Sequence, residues 1–120
     1  MQYRRMGNSD LTVSAIGFGC WEMGGTYGAF DERDVTAAIH RAIDLGVTLF
    51  DTARVYGFNF NFDAPEGAGR SEELLARALG PRRKDVLVVT KCGLPTRTGQ
   101  PTGRDSRYQS VIDACEISLR

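Results

Sequence analysis

Apolar residues recur along this chain in two rhythms, and the two alternate. Val35, Ala38, Ile39, Ala42 and Ile43 fall at the spacing of one helical face, which predicts an α-helix beginning just after Asp31. Asp31 suits the N-cap, Glu32 and Asp34 place negative charge at the positive end of the helix dipole, and Gly46 stands where a left-handed residue ends a helix. Val47-Thr48-Leu49-Phe50 follows as a β-branched and apolar run closed by Asp51, which predicts a strand buried on both faces. The alternation then repeats. Ser71 is placed to cap a second helix with Glu72 and Glu73 in its first turn and Leu75, Ala78 and Leu79 on its buried face, and Gly80-Pro81 stops it. After the solvated charge run Arg82-Arg83-Lys84-Asp85, the stretch from Val86 to Thr90 predicts a second buried strand, closed by Lys91.

Upstream, Val13 to Gly19 reads as a first strand, and the turn at Gly7-Asn8-Ser9-Asp10 lets the short pieces on either side of it pair as a hairpin. A third helix begins near Ser106 and sets Tyr108, Val111, Ile112, Cys115 and Leu119 along one face. The sequence reaches Arg120 without a Gly, Asn or Pro stop signal, so a chain cut inside a helix is expected. Strand, helix, strand, helix, strand is the order of parallel βα units, because parallel neighbours require a crossover. The class is α/β.

Composition narrows the function. With 42% apolar and 25% charged residues over 120 positions, the chain is at most one globular domain. Fifteen basic side chains balance 15 acidic ones, which argues against a module that tracks nucleic-acid phosphates. No run approaches the roughly 18 to 20 apolar residues that span a bilayer, and the first residues lack the apolar core of a signal peptide. The expected address is cytoplasmic, with neither nucleic acid nor membrane as partner. Cys20, Cys92 and Cys115 are odd in number and far apart, so they read as reduced thiols rather than a disulfide framework or a metal site, with Cys92 a buried, inert one. Gly17 and Gly19 are followed by Glu22 where a dinucleotide fingerprint would carry its third glycine, which disfavours a Rossmann unit.

In parallel α/β folds, function gathers at the carboxyl ends of the strands. Asp51 and Lys91 close adjacent strands, and Tyr56 lies in the loop rising from the first of them. A cation within hydrogen-bonding range lowers a phenol from its ordinary pKa of about 10 by roughly 1 to 3 units, and a carboxylate keeps that cation charged and oriented. The three together make a proton-donating site. The one histidine, His40, lies between Ile39 and Arg41 in the first helix and reads as a plain helix-surface residue.

These blocks carry a resemblance. Phe50-Asp51-Thr52-Ala53, Val55-Tyr56-Gly57, Gly69-Arg70-Ser71-Glu72-Glu73-Leu74-Leu75 and Val89-Thr90-Lys91 resemble, in order, the N-terminal part of the aldo-keto reductase family. Leu11-Thr12-Val13-Ser14 leading into Ile16-Gly17-Phe18-Gly19 extends the likeness over essentially the whole chain. The resemblance implies a (β/α)₈ barrel of TIM type closed at the bottom by an N-terminal hairpin, of which residues 1–120 supply the hairpin and the first three βα units. They would be an incomplete part of a single barrel domain, since such a barrel needs about 250 residues.

The implied activity is reduction of a small aldehyde or ketone to an alcohol, or the reverse, with NADPH as cofactor and NADH as the alternative. Tyr56 takes the role of general acid, Lys91 of its pKa-lowering partner, and Asp51 of the group that orients Lys91. The family's catalytic histidine, which follows the fourth strand, has no counterpart here. Gly19, Cys20, Trp21 and Asp51 are implied to touch the cofactor, and Trp21 and Tyr56 the substrate. Residues 58–68 form an insertion at the mouth of the site, and its Phe58 and Phe60, with Phe62, are expected to narrow the pocket in favour of bulky apolar or aromatic carbonyl compounds. Two further readings stay open: a cofactor-binding regulatory or assembly module of the same fold, like channel-associated β subunits, and an inactive truncated remnant.

Overall fold

The computed structural model describes residues 1–25, 27–57, 68–94 and 104–120. Two short strands open the chain, β1 (Tyr3–Arg5) and β2 (Thr12–Ser14), paired antiparallel with Tyr3 opposite Ser14 and Arg5 opposite Thr12. The stretch read as one strand from Val13 to Gly19 is therefore two pieces in two sheets. Ser14 stands at the break, where its hydroxyl donates to the Ile16 carbonyl at 2.7 Å. The backbone N–H of Ser14 meanwhile donates to Thr48 Oγ1, and that of Thr48 to Ser14 Oγ, tying the hairpin to the next strand.

The second sheet is parallel, with β3 (Phe18–Gly19), β4 (Leu49–Asp51) and β5 (Leu87–Val89) in spatial order. Gly19 pairs with Asp51, and Asp51 with Val89, so the three strands end level with one another. Between them run α1 (Glu32–Asp44) and α2 (Arg70–Leu79), and α3 (Tyr108–Ser118) follows β5. Asp31 caps α1 as expected, its carboxylate accepting from Arg33 N–H at 2.8 Å. Gly46 closes the exit from α1 at φ +89°, a conformation costly for a residue with a Cβ.

The core lies between α1, α2 and the parallel sheet. Ile39, Phe50, Leu74, Leu75 and Leu79 are all at most 2% exposed, and the rings of Phe18 and Phe50 stack at 5.3 Å. Neither β4 nor β5 is buried on both faces: Phe50 is fully enclosed, while Leu49, Asp51 and all of β5, an edge strand among the described residues, keep partial exposure. Strand alternation puts Leu49 and Asp51 on the face opposite Phe50, away from the helical layer.

Three further expectations change. Helix α2 starts at Arg70 with Gly69 as its N-cap, so Ser71 is not the cap; its side chain is wholly buried inside the first turn. The charge run after α2 is exposed at Arg83, Lys84 and Asp85 as expected, but it winds into a 3₁₀ segment, Gly80–Asp85, from which half-buried Arg82 reaches Asp44 Oδ1 of α1 at 2.7 Å. His40 is half-buried and donates from Nε2 to the Ala78 carbonyl at 2.7 Å, so it joins α1 to α2 instead of lying on the surface. No helix among the described residues is long and apolar enough to cross a membrane.

Candidate active site

The level strand ends bring three distant side chains to one rim. Asp51 is the last residue of β4, Lys91 stands two residues beyond β5, and Tyr56 lies in the turn above β4. Lys91 Nζ is 2.5 Å from Asp51 Oδ1, 2.8 Å from the Tyr56 hydroxyl and 2.9 Å from the Thr52 carbonyl. An ammonium has three N–H donors and here each finds an acceptor. Partial burial disfavours the charged amine, but the hydrogen bonds to Asp51 and Tyr56 and their charge outweigh it and raise the Lys91 pKa above the usual lysine value. Because the phenol oxygen accepts from Lys91, its own proton is left to point elsewhere.

The loop after β3 holds the other side of Tyr56. The Trp21 ring meets the Tyr56 ring edge-on at 4.7 Å and 74°. Three residues on, Gly24 lies against the next peptide bond: a Cβ there would sit 2.4 Å from the Gly57 nitrogen, so only glycine lets the two backbones approach this closely. A groove of about 510 Å³ opens beside the trio, lined among others by Trp21, Arg54, Tyr56, Lys91 and Arg104.

The expected cofactor contacts divide. Gly19 is exposed at the strand end, and a Cβ placed on it would meet no atom within 4 Å, so flat ring surface can approach the backbone there. Trp21, 39% exposed, and Asp51 face the same rim. Cys20 departs from the expectation. It is 0% exposed, its amide donates to the Asp51 carbonyl, and burial together with the nearby Asp51 charge pushes its thiol up to about 12. Cys92, expected to be buried, is exposed. Phe58 and Phe60 lie outside the described residues.

The chain matches the family model described as "Aldo/keto reductase family" over residues 15–120. It belongs to the aldo-keto reductase family. Aldo-keto reductase YhdN of Bacillus subtilis is 32% identical, with all of this chain covered and 34% of that protein. L-galactose dehydrogenase of Arabidopsis thaliana is 36% identical over 78% of this chain and 27% of its own length. An aldo-keto reductase of Bacillus halodurans, solved in its holo form, superposes with a TM-score of 0.79 at 30% identity, covering 100% of this chain and 36% of the other. The chain thus spans about a third of the length of the relatives it matches. Within the family's barrel architecture, its hairpin and three parallel βα units correspond to one sector.

Reading the sequence alone missed two residues of this rim. Ser71 carries a cap-like residue type at a helix start, which hid its inward role, and Thr52 contributes through a backbone carbonyl that no side-chain pattern reports. Arg54, Glu72 and Thr90 form an outer cluster: Thr90 Oγ1 donates to Glu72 Oε1 at 2.6 Å, and Arg54 Nη1 lies 3.8 Å from Glu72 Oε2. Arg54 Nε is buried with no hydrogen-bond partner among the described residues.

Proposed function

We propose that the protein containing this chain reduces an aldehyde or ketone with NADPH, or NADH, and that Tyr56 donates the proton that the carbonyl oxygen receives. One observation carries the reading: Lys91 Nζ binds Asp51 and the Tyr56 oxygen at the same time, at 2.5 and 2.8 Å. The phenol therefore accepts a hydrogen bond from a cation while keeping its own proton for donation. As that proton leaves, negative charge develops on the Tyr56 oxygen beside a fixed ammonium, and fixed charge needs no rearrangement at the moment of reaction. Asp51 holds Lys91 charged and aimed. A nicotinamide lying against Gly19, Trp21 and Asp51 supplies the hydride. Trp21, with its ring edge-on to Tyr56, forms one wall for the substrate, and residues 58–68, with Phe58 and Phe60, are proposed to shape the mouth.

On this reading, residues 1–120 are the N-terminal part of one barrel domain working in the cytoplasm. The relatives named above are oxidoreductases by their names, which supports the reaction class and not a particular substrate. The test is Tyr56→Phe in the full-length protein. Carbonyl-dependent NADPH oxidation should fall by about 10²- to 10⁴-fold, the usual contribution of a positioned general acid, with NADPH binding retained by fluorescence. Unchanged turnover would remove Tyr56 from the chemistry, and cofactor binding without turnover in the unaltered protein would favour the regulatory module.

A further inference from the structure

Two hydroxyls at the base of the rim have a fixed direction of donation. Ser71 Oγ is 2.8 Å from the Cys20 carbonyl and 2.9 Å from Thr52 Oγ1. A carbonyl only accepts, so the single Ser71 proton goes to Cys20, and the Thr52 hydroxyl must donate to Ser71. Both side chains are almost completely buried, Ser71 at 0% and Thr52 at 1% exposure, so water does not compete for these bonds. Thr52 is held at two other points: its N–H donates to the Val89 carbonyl of β5 at 2.8 Å, and its carbonyl accepts from Lys91 Nζ at 2.9 Å. The relay thus runs from the end of β3 through the first turn of α2 to the residue after β4, and ends on the lysine.

We propose that Ser71 and the Thr52 hydroxyl are positioning residues for Lys91: they fix the Thr52 carbonyl, and that carbonyl takes the one ammonium proton not directed at Asp51 or Tyr56. With two acceptors, an ammonium can still rotate and tilt about its stem; a third, immobile acceptor fixes which N–H faces the phenol. A purely structural helix-to-strand tie would not require the relay to end on a carbonyl that binds the amine. The inference rests on the functional reading above for its consequence in catalysis, but the effect on Lys91 itself can be measured without any turnover.

Three variants of the full-length protein decide it. Ser71→Ala and Thr52→Val each cut the relay, and Thr52→Ser keeps the hydroxyl as the conservative rescue. With lysine ¹³C-labelled at the ε-carbon, and the Lys91 signal assigned by its loss in Lys91→Met, the midpoint of the Lys91 titration should fall below wild type in the two relay-breaking variants and not in Thr52→Ser. Groups that face Lys91, namely Asp51, Tyr56 and Cys20, are unchanged throughout. In turnover with NADPH and an aldehyde, kcat should drop about tenfold with KM for the aldehyde within about twofold, the signature of misplaced geometry rather than lost binding. Should Ser71→Ala not fold, Thr52→Val decides, because it preserves side-chain shape and leaves the Ser71 to Cys20 bond intact. A Lys91 midpoint equal to wild type in a folded relay-breaking variant, even one with a lowered Tm, would overturn the proposal. A wild-type protein that reduces no carbonyl compound would instead sink the functional reading, with the titration still deciding the role of the relay.

Discussion

Helices α2 and α3 are built from similar apolar spacing, yet they live in different surroundings. Along α2, Leu74, Leu75, Ala78 and Leu79 are buried against α1 and the sheet. Along α3, no residue is buried: Val111 and Ile112 are each 37% exposed and Leu119 is 81% exposed. Val111, Cys115 and Leu119 of the stripe read from the sequence turn toward α2 without being covered, and the half-buried positions are Ser110, Ala114, Ile117 and Ser118. A gap of about 340 Å³ lined by residues including Leu75, Leu79, Val88, Val111, Cys115 and Leu119 separates the two regions. The difference teaches that periodicity says which side of a helix is apolar, while burial requires a second surface of matching shape. The α2 side possesses one within these 120 residues. Among the described residues, the α3 side does not.

The largest effect that sharpens this contrast is Leu75→Ala against Ile112→Ala. Leu75 is 2% exposed although it borders the gap, so its truncation should destabilise the fold by about 2–5 kcal/mol, through lost transfer energy and the enlarged cavity left behind. Ile112 should change stability by no more than about 0.5 kcal/mol, the ordinary range for an exposed position. Urea denaturation of both variants measures the pair, and equal losses would mean that α3 is packed as firmly as α2.

A smaller effect separates the helix starts. Asp31→Ala should lower stability measurably, because the Arg33 N–H at the head of α1 loses its acceptor. At the head of α3 the Arg107 residue supplies no cap of its own; Asp105 accepts from the Arg107 N–H at 3.2 Å and from the Ser110 hydroxyl at 2.7 Å. Asp105→Ala should therefore lower overall stability less than Asp31→Ala, since fraying of an unburied helix exposes little that was hidden. Both are read from the same denaturation experiment, and the reverse order would contradict the division.

What could be read from the sequence follows the same line. The α1 cap at Asp31, the left-handed Gly46, the parallel order and the meeting of Asp51, Tyr56 and Lys91 all depend on local chemistry or on the rule that strand ends gather function, so each was legible. The rest depended on partners distant in the chain. The first strand breaks at Ser14, where Thr48, 34 residues on, completes the hydrogen bonds. Ser71 turns inward because Cys20 and Thr52 wait there, and a serine at a helix start looks the same whichever way it points. His40 is a bridge only because the Ala78 carbonyl lies opposite it.

The smallest effect tests the strap between the two regions. Lys91 extends from the β5 side to Asp51 and Thr52 on the β4 side, so its ion pair joins the open half to the packed half. Its pKa is raised in the folded protein, which means that folding favours the charged amine. The sign follows: the contribution is fully present below the unfolded lysine value of about 10.4 and is lost as pH rises through the higher folded value. Because the Lys91 side chain is 45% exposed, water screens much of the attraction and the change should be modest. Thermal unfolding of wild type and Lys91→Met, each followed from pH 7 into the alkaline range above 10, isolates the Lys91 contribution by difference. The wild-type advantage should shrink only at the alkaline end; a gap that already closes near neutral pH would mean that the strap is not held by a protonated lysine.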